Sequence, residues 1–186
     1  MQVDGIPSSQ RYDTYLRLPA LVGRSRIAVF QGIKDRVWNR LQDWKLSFLS
    51  QAGKEVLLKA VFQAIHSYSM SVFLLPKALC LEINSLMQKF WWGHQKKKSS
   101  IRWISWSRMG LPKSREGMGF RDLHFFNKAL LAKQCWRLWK EEGSSTAKIM
   151  KGKYYPNGTV LDAQLGNKPS FIWRSIYSSR SLIQMG

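Results

Sequence analysis

The chain has 186 residues, of which 45% are hydrophobic and 9 are tryptophan, so it can bury a sizeable core in one domain or in two small helical lobes. Its 30 Lys and Arg residues outnumber its 11 Asp and Glu residues, which gives a formal net charge of +19 at pH 7. Such a charge disfavours compaction unless a polyanion neutralises it, and nucleic acid is the expected polyanion. The chain has no readable secretory signal, and no apolar run reaches the roughly 18 residues of a membrane span. We therefore expect an intracellular protein, nuclear or cytoplasmic, that is not secreted and has no membrane partner.

The first part of the chain is predicted to change from loop and strand to helix. Gly and Pro residues interrupt residues 1–23, which include a short extended candidate at residues 14–18. From Ser25 to Trp44, apolar residues recur at steps of three and four, which places them on one face of a first helix. Ser50 can cap a second helix that runs from about Gln51 to Met70.

The middle of the chain is predicted to hold a third helix and then a loop region. Pro76 fits the first turn of this helix, and Gly93 fits its end. Residues 94–120 contain three successive lysines, three glycines and a proline, so loops with a short strand or a turn of helix are expected there.

The C-terminal part is predicted to contain three more helices. Asp122 can cap a helix that extends to about Glu141, and Thr146 can cap another that extends to about Tyr155. Ser170 can cap a last helix, through about residue 183. The sequence therefore predicts an all-α fold of five or six helices.

No arrangement of residues typical of catalysis or metal binding appears in the sequence. The carboxylates near the N-terminus are isolated from one another, whereas nucleotidyl transfer needs carboxylates that together hold divalent cations. The His and Cys residues lack the short spacing of zinc ligand pairs. Cys80 and Cys135 are far apart within predicted helices, which is typical of reduced thiols. We predict no catalytic residue, no metal, no cofactor and no small-molecule substrate. The isolated carboxylates are Asp4, Asp13, Asp35 and Asp43.

The strongest local signal is a basic segment that also contains aromatic residues. Eight Lys and Arg residues between Lys96 and Arg121 accompany one acidic residue, Glu116, and Trp103 and Trp106 lie among them. Cationic groups neutralise phosphates, and indole rings can stack on unpaired bases. The competing interpretation is a solvated charged face over a core that contains the tryptophans. We expect the tryptophans next to apolar helical stripes to be core residues. These are Trp91, Trp92, Trp136 and Trp139.

Three stretches of the chain, Trp44 to Trp92, Tyr15 to Arg26 and Leu111 to Leu138, carry specific motifs. They resemble one protein family, the plant non-LTR (LINE-type) retrotransposon reverse transcriptases. Residues Trp44 to Trp92, WKLSFLSQAGKEVLLKAVFQAIHSYSMSVFLLPKALCLEINSLMQKFWW, resemble the thumb and linker. YLRLPALVGRSR at Tyr15 to Arg26 resembles the end of the palm, and LPKSREGMGFRDLHFFNKALLAKQCWRL at Leu111 to Leu138 resembles the downstream linker. The resemblance implies a helical thumb that grips a template–primer duplex beside a primer-grip hairpin. In this family, the catalytic palm carboxylates lie upstream of these stretches, and the zinc-binding and ribonuclease H regions lie downstream.

The chain departs from the family pattern at three positions. Arg17 stands where the family has Gly in its YLGLP motif, which puts a tight turn there in doubt. His66 stands where the family has Pro, so the second helix is expected to continue unbroken. Glu116 replaces the first residue of a double Gly, which puts the turn around Gly117 in doubt.

The resemblance implies a division of the chain and a function in binding. The expected parts are a palm-end remnant at 1–23, a thumb-like helical bundle at 24–75 and a basic helical linker region at 76–186. The expected partners are RNA or an RNA–DNA duplex, together with an upstream polymerase palm in cis. The predicted nucleic-acid-binding residues are Arg24, Arg26, Lys54, Lys59, Lys96, Lys97, Lys98, Arg102, Lys113 and Arg115.

Two alternatives to a polymerase fragment remain open from the sequence. The chain could be a stand-alone domesticated RNA-binding or scaffolding protein derived from such an element. It could also be a decayed retrotransposon reading frame without a function.

Overall fold

The structure, a computed structural model, describes residues 14–15, 18–19, 26–43, 49–65, 67–93 and 101–185. Some sequence predictions concern positions outside these ranges. These positions are Arg17, Arg24, His66, Lys96, Lys97 and Lys98.

The described chain begins with a short antiparallel ladder and a long helix. Strands β1 (Thr14–Tyr15) and β2 (Leu18–Pro19) pair so that Thr14 lies opposite Pro19. This ladder lies where the sequence predicts an extended segment. Helix α1 (Arg26–Asp43) matches the first predicted helix, and four residues of its apolar stripe are buried. They are Phe30, Ile33, Val37 and Leu41.

The second predicted helix is present, but it is not regular. Ser50 caps it as predicted, because its hydroxyl accepts a hydrogen bond from the Gly53 N–H at 3.1 Å. A π-helical turn interrupts it, and Leu58 and Phe62 at the ends of that turn are fully buried. The π turn thus lies in the core, and the local sequence does not specify it. The successive elements are α2 (Gln51–Leu57), the π turn (Leu58–Phe62), α3 (Gln63–Ile65) and α4 (Ser67–Val72).

The third predicted helix and the loop after it are confirmed in outline. Helix α5 (Lys77–Trp91) starts directly after Pro76, and Gly93 beyond its end has a φ of +68°. Within residues 101–120, one short helix, α6 (Trp106–Met109), precedes a single 3₁₀ turn (Lys113–Arg115).

The C-terminal helices differ from the prediction at two places. Helix α7 (Leu123–Lys140) is capped by Asp122 as predicted, but Ser144 caps the next helix where Thr146 was expected. The last predicted helix begins after the Ser170 cap and is then divided in two near Ser178. The last three helices are α8 (Ser145–Tyr154), α9 (Phe171–Tyr177) and α10 (Arg180–Gln184).

Buried side chains form two hydrophobic clusters, and α7 contributes to both. The first cluster joins α1, the α2–α4 region, α5 and α6 to Phe120 and Leu123. The second contains Leu131, Cys135 and Leu138 of α7, and it includes residues from α8 and α9. The described residues thus form an all-α fold, which confirms the predicted class. The first cluster takes residues from either side of position 75. The division at 23 and 75 into a palm-end remnant, a thumb-like bundle and a linker region stays a prediction.

A buried amide on α7 fixes the connection between α4 and α5. Asn127 is fully buried, and its Nδ2 donates to the carbonyl oxygens of Met70 (2.7 Å) and Phe73 (2.9 Å). Its Oδ1 accepts from the Leu75 N–H at 2.8 Å. One side chain therefore satisfies three backbone groups that would otherwise be buried without partners. This arrangement sets the start of α5, whose other end meets the Phe120 ring through Trp91.

Candidate nucleic-acid interface

Phe120 organises the part of the molecule where the basic segment meets α5. Its ring stacks on Trp106 at a centroid distance of 5.1 Å and meets the Trp91 ring edge-on at 5.4 Å. The Lys59 ammonium lies 5.7 Å from the Phe120 centroid. All three rings are buried. Aromatic packing therefore holds α6 and the residues after it against the C-terminal end of α5.

The residues between α6 and Phe120 form a closed turn. The Met118 N–H donates to the Met109 carbonyl oxygen at 2.9 Å, and the Gly119 N–H donates to the Leu111 carbonyl oxygen at 2.8 Å. A Cβ at Gly117 would overlap the Leu111 backbone, so only glycine fits there. Glu116 has a φ of +59°, a conformation that favours glycine. The turn is therefore intact, although the sequence departure at Glu116 put it in doubt.

Two of the predicted site residues meet at a single carboxylate. Glu55 Oε1 lies 2.6 Å from Lys59 Nζ and 3.8 Å from Lys113 Nζ. The hydrogen bond from Lys59 lowers the pKa of Glu55, and partial burial opposes that effect. Glu55 thus stays ionised and links α2 to the 3₁₀ turn.

Lys54, which the resemblance predicts to contact a duplex, points into the protein. It is buried, and its Nζ donates to the Trp91 carbonyl oxygen at 3.5 Å. A cation at this position also complements the partial negative charge at the C-terminus of α5. A contact between Lys54 and a duplex would first require this hydrogen bond to open.

The other predicted residues in the described ranges lie at the surface or at a helix start. Arg26 is the first residue of α1. Arg102, Lys113 and Arg115 are exposed, and 78% of the Lys113 side chain is accessible. Arg108 also belongs to the basic segment, although it is not among the predicted binding residues. It lies in α6, exposed, 4.0 Å from Glu116. We call five residues around α6 and the following turn the basic cluster: Lys59, Arg102, Arg108, Lys113 and Arg115.

The buried and exposed tryptophans are not all those that the sequence predicts. Trp91 is buried as predicted, but Trp136 is 46% exposed, so its assignment to the core was wrong. Trp106, a predicted stacking candidate, is also buried, because its ring stacks on Phe120 inside the core. Trp103 is 76% exposed. Periodicity along one helix could not reveal which rings meet a partner from another element.

The side chains that could bind a metal or act as nucleophiles are either buried or far from one another. Within the described ranges, no group of three or more His, Cys, Asp and Glu residues could hold a metal ion. Cys80 and Cys135 are free and buried, and burial raises the pKa of each thiol to about 11. Such thiols are poor nucleophiles at neutral pH. Among the described helices, none is both long enough and apolar enough to cross a membrane.

Comparison with known proteins identifies a plant family. The chain is 39% identical over 126 residues to the "Uncharacterized mitochondrial protein AtMg00310" of Arabidopsis thaliana, and this alignment covers 66% of the chain and 80% of that protein. The chain belongs to the AtMg00310 family. No protein-family model and no solved structure matches it.

A second relative of this AtMg00310-family chain is much longer. The chain is 34% identical over 162 residues to the "Putative ribonuclease H protein At1g65750" of Arabidopsis thaliana. The alignment covers 86% of the chain but only 26% of that protein, so the chain spans about a quarter of this relative. The two relatives agree with a retroelement-related origin.

Proposed function

We propose that this chain binds nucleic acid, and that it holds an RNA–DNA or RNA duplex as the thumb and linker of a LINE-type reverse transcriptase. The observation that carries the proposal is the basic cluster, which a closed turn and an aromatic core present at the surface. In this proposal, the chain contributes binding of the duplex to reverse transcription, while an upstream palm in cis supplies the carboxylates for polymerisation.

The basic cluster suits contact with phosphates better than contact with bases. Lys and Arg residues neutralise backbone phosphates irrespective of sequence, which is what a polymerase needs as it moves along a template. The turn that carries Lys113 and Arg115 is closed by backbone hydrogen bonds, so little conformational entropy is lost there on binding. Rigid placement of cations supports a clamp that follows the shape of a duplex.

Glu55 limits how strongly the cluster can bind. Its carboxylate already neutralises part of the charge of Lys59 and Lys113. A phosphate that approached Lys113 would compete with a weak, exposed pair at 3.8 Å, and such pairs contribute only about 0–1 kcal/mol. Lys113 can therefore exchange the carboxylate for a phosphate at low cost.

A salt titration tests the proposal. Fluorescence anisotropy would measure the Kd of a labelled RNA–DNA hybrid of about 20 base pairs, with duplex DNA of the same sequence for comparison. If about 6 to 10 phosphates are neutralised, the affinity should fall by about 10³ to 10⁵ between 50 and 200 mM salt. An affinity that did not change with salt, or no binding at low salt, would contradict the proposal.

A second candidate function is a stand-alone RNA-binding protein of retroelement origin. It is favoured by the match to AtMg00310, because the aligned region makes up 80% of that protein. In this case, the full chain should melt cooperatively by itself and should prefer one RNA over others of equal length. A thumb segment that serves a polymerase in cis should show no such preference among RNA sequences.

A further inference from the structure

Trp103 is a large aromatic side chain that folding leaves in water. It is 76% exposed and lies between Arg102 and Ile104, two residues before the Ser105 cap of α6. It makes no ring or cation–π contact with another described residue. Trp106, three residues further along the chain, is by contrast buried against Phe120.

One glutamine contacts both sequence neighbours of Trp103. Gln88 of α5 is buried, and its Nε2 donates to the Ile104 carbonyl oxygen at 3.1 Å. Its Oε1 accepts from the Arg102 guanidinium at 3.5 Å. Gln88 therefore anchors the backbone that follows Trp103 at Ile104, and it also contacts the side chain of Arg102. The exposed indole lies between these two contacts.

The sequence neighbours of Trp103 include two exposed isoleucines, Ile101 and Ile104, and cations that suit a nucleic acid. Arg102 is adjacent in the sequence, and Arg108 follows in α6, which begins at Trp106. In the whole segment from Lys96 to Arg121, the one acidic residue is Glu116. Single-stranded nucleic acids are bound by this combination of cations for phosphates and an aromatic face for bases.

We infer that Trp103 stacks on an unpaired nucleobase next to the duplex, with Arg102 beside it for the adjoining phosphate. This inference rests on the proposed function, and it defines the ligand more narrowly as a junction between duplex and single strand. The bound form of such a junction would have its paired part at the basic cluster and its first unpaired base at Trp103.

Two probes and three variants test the inference. One probe is a blunt RNA–DNA hybrid, and the other is the same hybrid with a short single-stranded RNA overhang. The natural chain should bind the overhang probe about 5- to 150-fold more tightly, the range for one stacked base. Trp103→Ala should abolish this difference, whereas Trp103→Phe should retain most of it. Trp136→Ala, which removes another exposed indole, should leave the difference unchanged.

The salt dependence separates stacking from phosphate contact. Because an indole carries no charge, Trp103→Ala should leave the slope of log Kd against log salt unchanged. Thermal melting of each variant checks that the fold is retained. The inference is wrong if the natural chain binds both hybrids equally, or if Trp103→Ala weakens binding of both alike. Either result leaves duplex binding, and so the proposed function, standing. Failure to bind any hybrid at low salt would instead remove the proposed function together with the inference.

Discussion

Lys113 Nζ lies 3.8 Å from Glu55 Oε1, and this ion pair joins the turn after α6 to the helix that begins at Gln51. The same carboxylate lies 2.6 Å from Lys59 Nζ. Glu55 is thus an acidic residue inside a cationic surface. Removal of the negative charge of Glu55 is therefore expected to improve binding of nucleic acid.

Glu55→Gln should increase the affinity for an RNA–DNA hybrid. The change frees Lys59 and Lys113 from their carboxylate partner and removes one repulsion of phosphate, which should lower the Kd about two- to fivefold at low salt. Fluorescence anisotropy measures this effect. Glu142→Gln is the matched control, because Glu142 pairs with Lys151 of α8. An equal gain in the control, or a loss of affinity in Glu55→Gln, would argue against a basic cluster centred on Glu55.

Asn127→Ala should destabilise the fold strongly. The substitution leaves the Leu75 N–H and the carbonyl oxygens of Met70 and Phe73 without their buried partner. The free energy of unfolding should fall by about 2–5 kcal/mol, as measured by urea denaturation. Asn84→Ala, which also truncates a buried amide, should cost less because its Oδ1 has no hydrogen-bond partner. Equal losses would show that Asn127 acts by packing alone.

The turn at Glu116 and Gly117 should respond in opposite directions to two substitutions. Gly117→Ala places a Cβ against the Leu111 backbone, so it should lower both thermal stability and affinity for the hybrid. Glu116→Gly relieves a left-handed conformation at φ +59° and should raise stability by up to about 1 kcal/mol. Differential scanning calorimetry gives both changes. Stabilisation by Gly117→Ala would contradict the described turn.

His124 should make stability depend on pH below neutrality. Burial lowers its pKa below the ordinary value of 6.5, and the nearby Lys128 acts in the same direction. The unfolded chain then takes up a proton before the folded chain does, so stability falls as pH drops below 6.5. In His124→Gln, this part of the decline should be absent. Because both proteins contain His66 and His94, the difference between their unfolding curves isolates His124. Parallel curves would contradict the expected shift.

The features that the sequence predicted correctly are those decided within a few residues. The stripe in α1, the end of α5 at Gly93, and the caps at Asp122 and Ser170 depend on local spacing and side-chain chemistry. The cap of α8 shows the limit of this reasoning. Ser144, Ser145 and Thr146 are all capping residues in a row, so local side-chain chemistry does not decide among them, and Ser144 is the cap.

The features that the sequence missed depend on contacts between distant elements. Lys54 is buried because the end of α5 meets it, and Trp136 is exposed because no element covers that side of α7 within the described residues. The π turn, with Leu58 and Phe62 buried at its ends, is not visible in the local sequence either. Basic composition therefore located the exposed segment, but it could not show that Lys54, on another element, is buried.

Two pairs of cations allow the central proposal to be tested at constant net charge. Lys113 and Arg115 belong to the basic cluster, whereas Lys148 and Lys151 lie on α8. The double variant Lys113→Ala/Arg115→Ala and the double variant Lys148→Ala/Lys151→Ala each lose two positive charges. A general attraction between a cationic protein and a polyanion would be weakened equally by both.

The most direct measurement is the slope of log Kd against log salt for an RNA–DNA hybrid with the natural chain and these two variants. We predict that Lys113→Ala/Arg115→Ala weakens binding and reduces the steepness of the slope by about 2, since each phosphate contact contributes about 1. The α8 variant should keep the natural slope. Equal slopes for the two variants would contradict a nucleic-acid interface at the basic cluster.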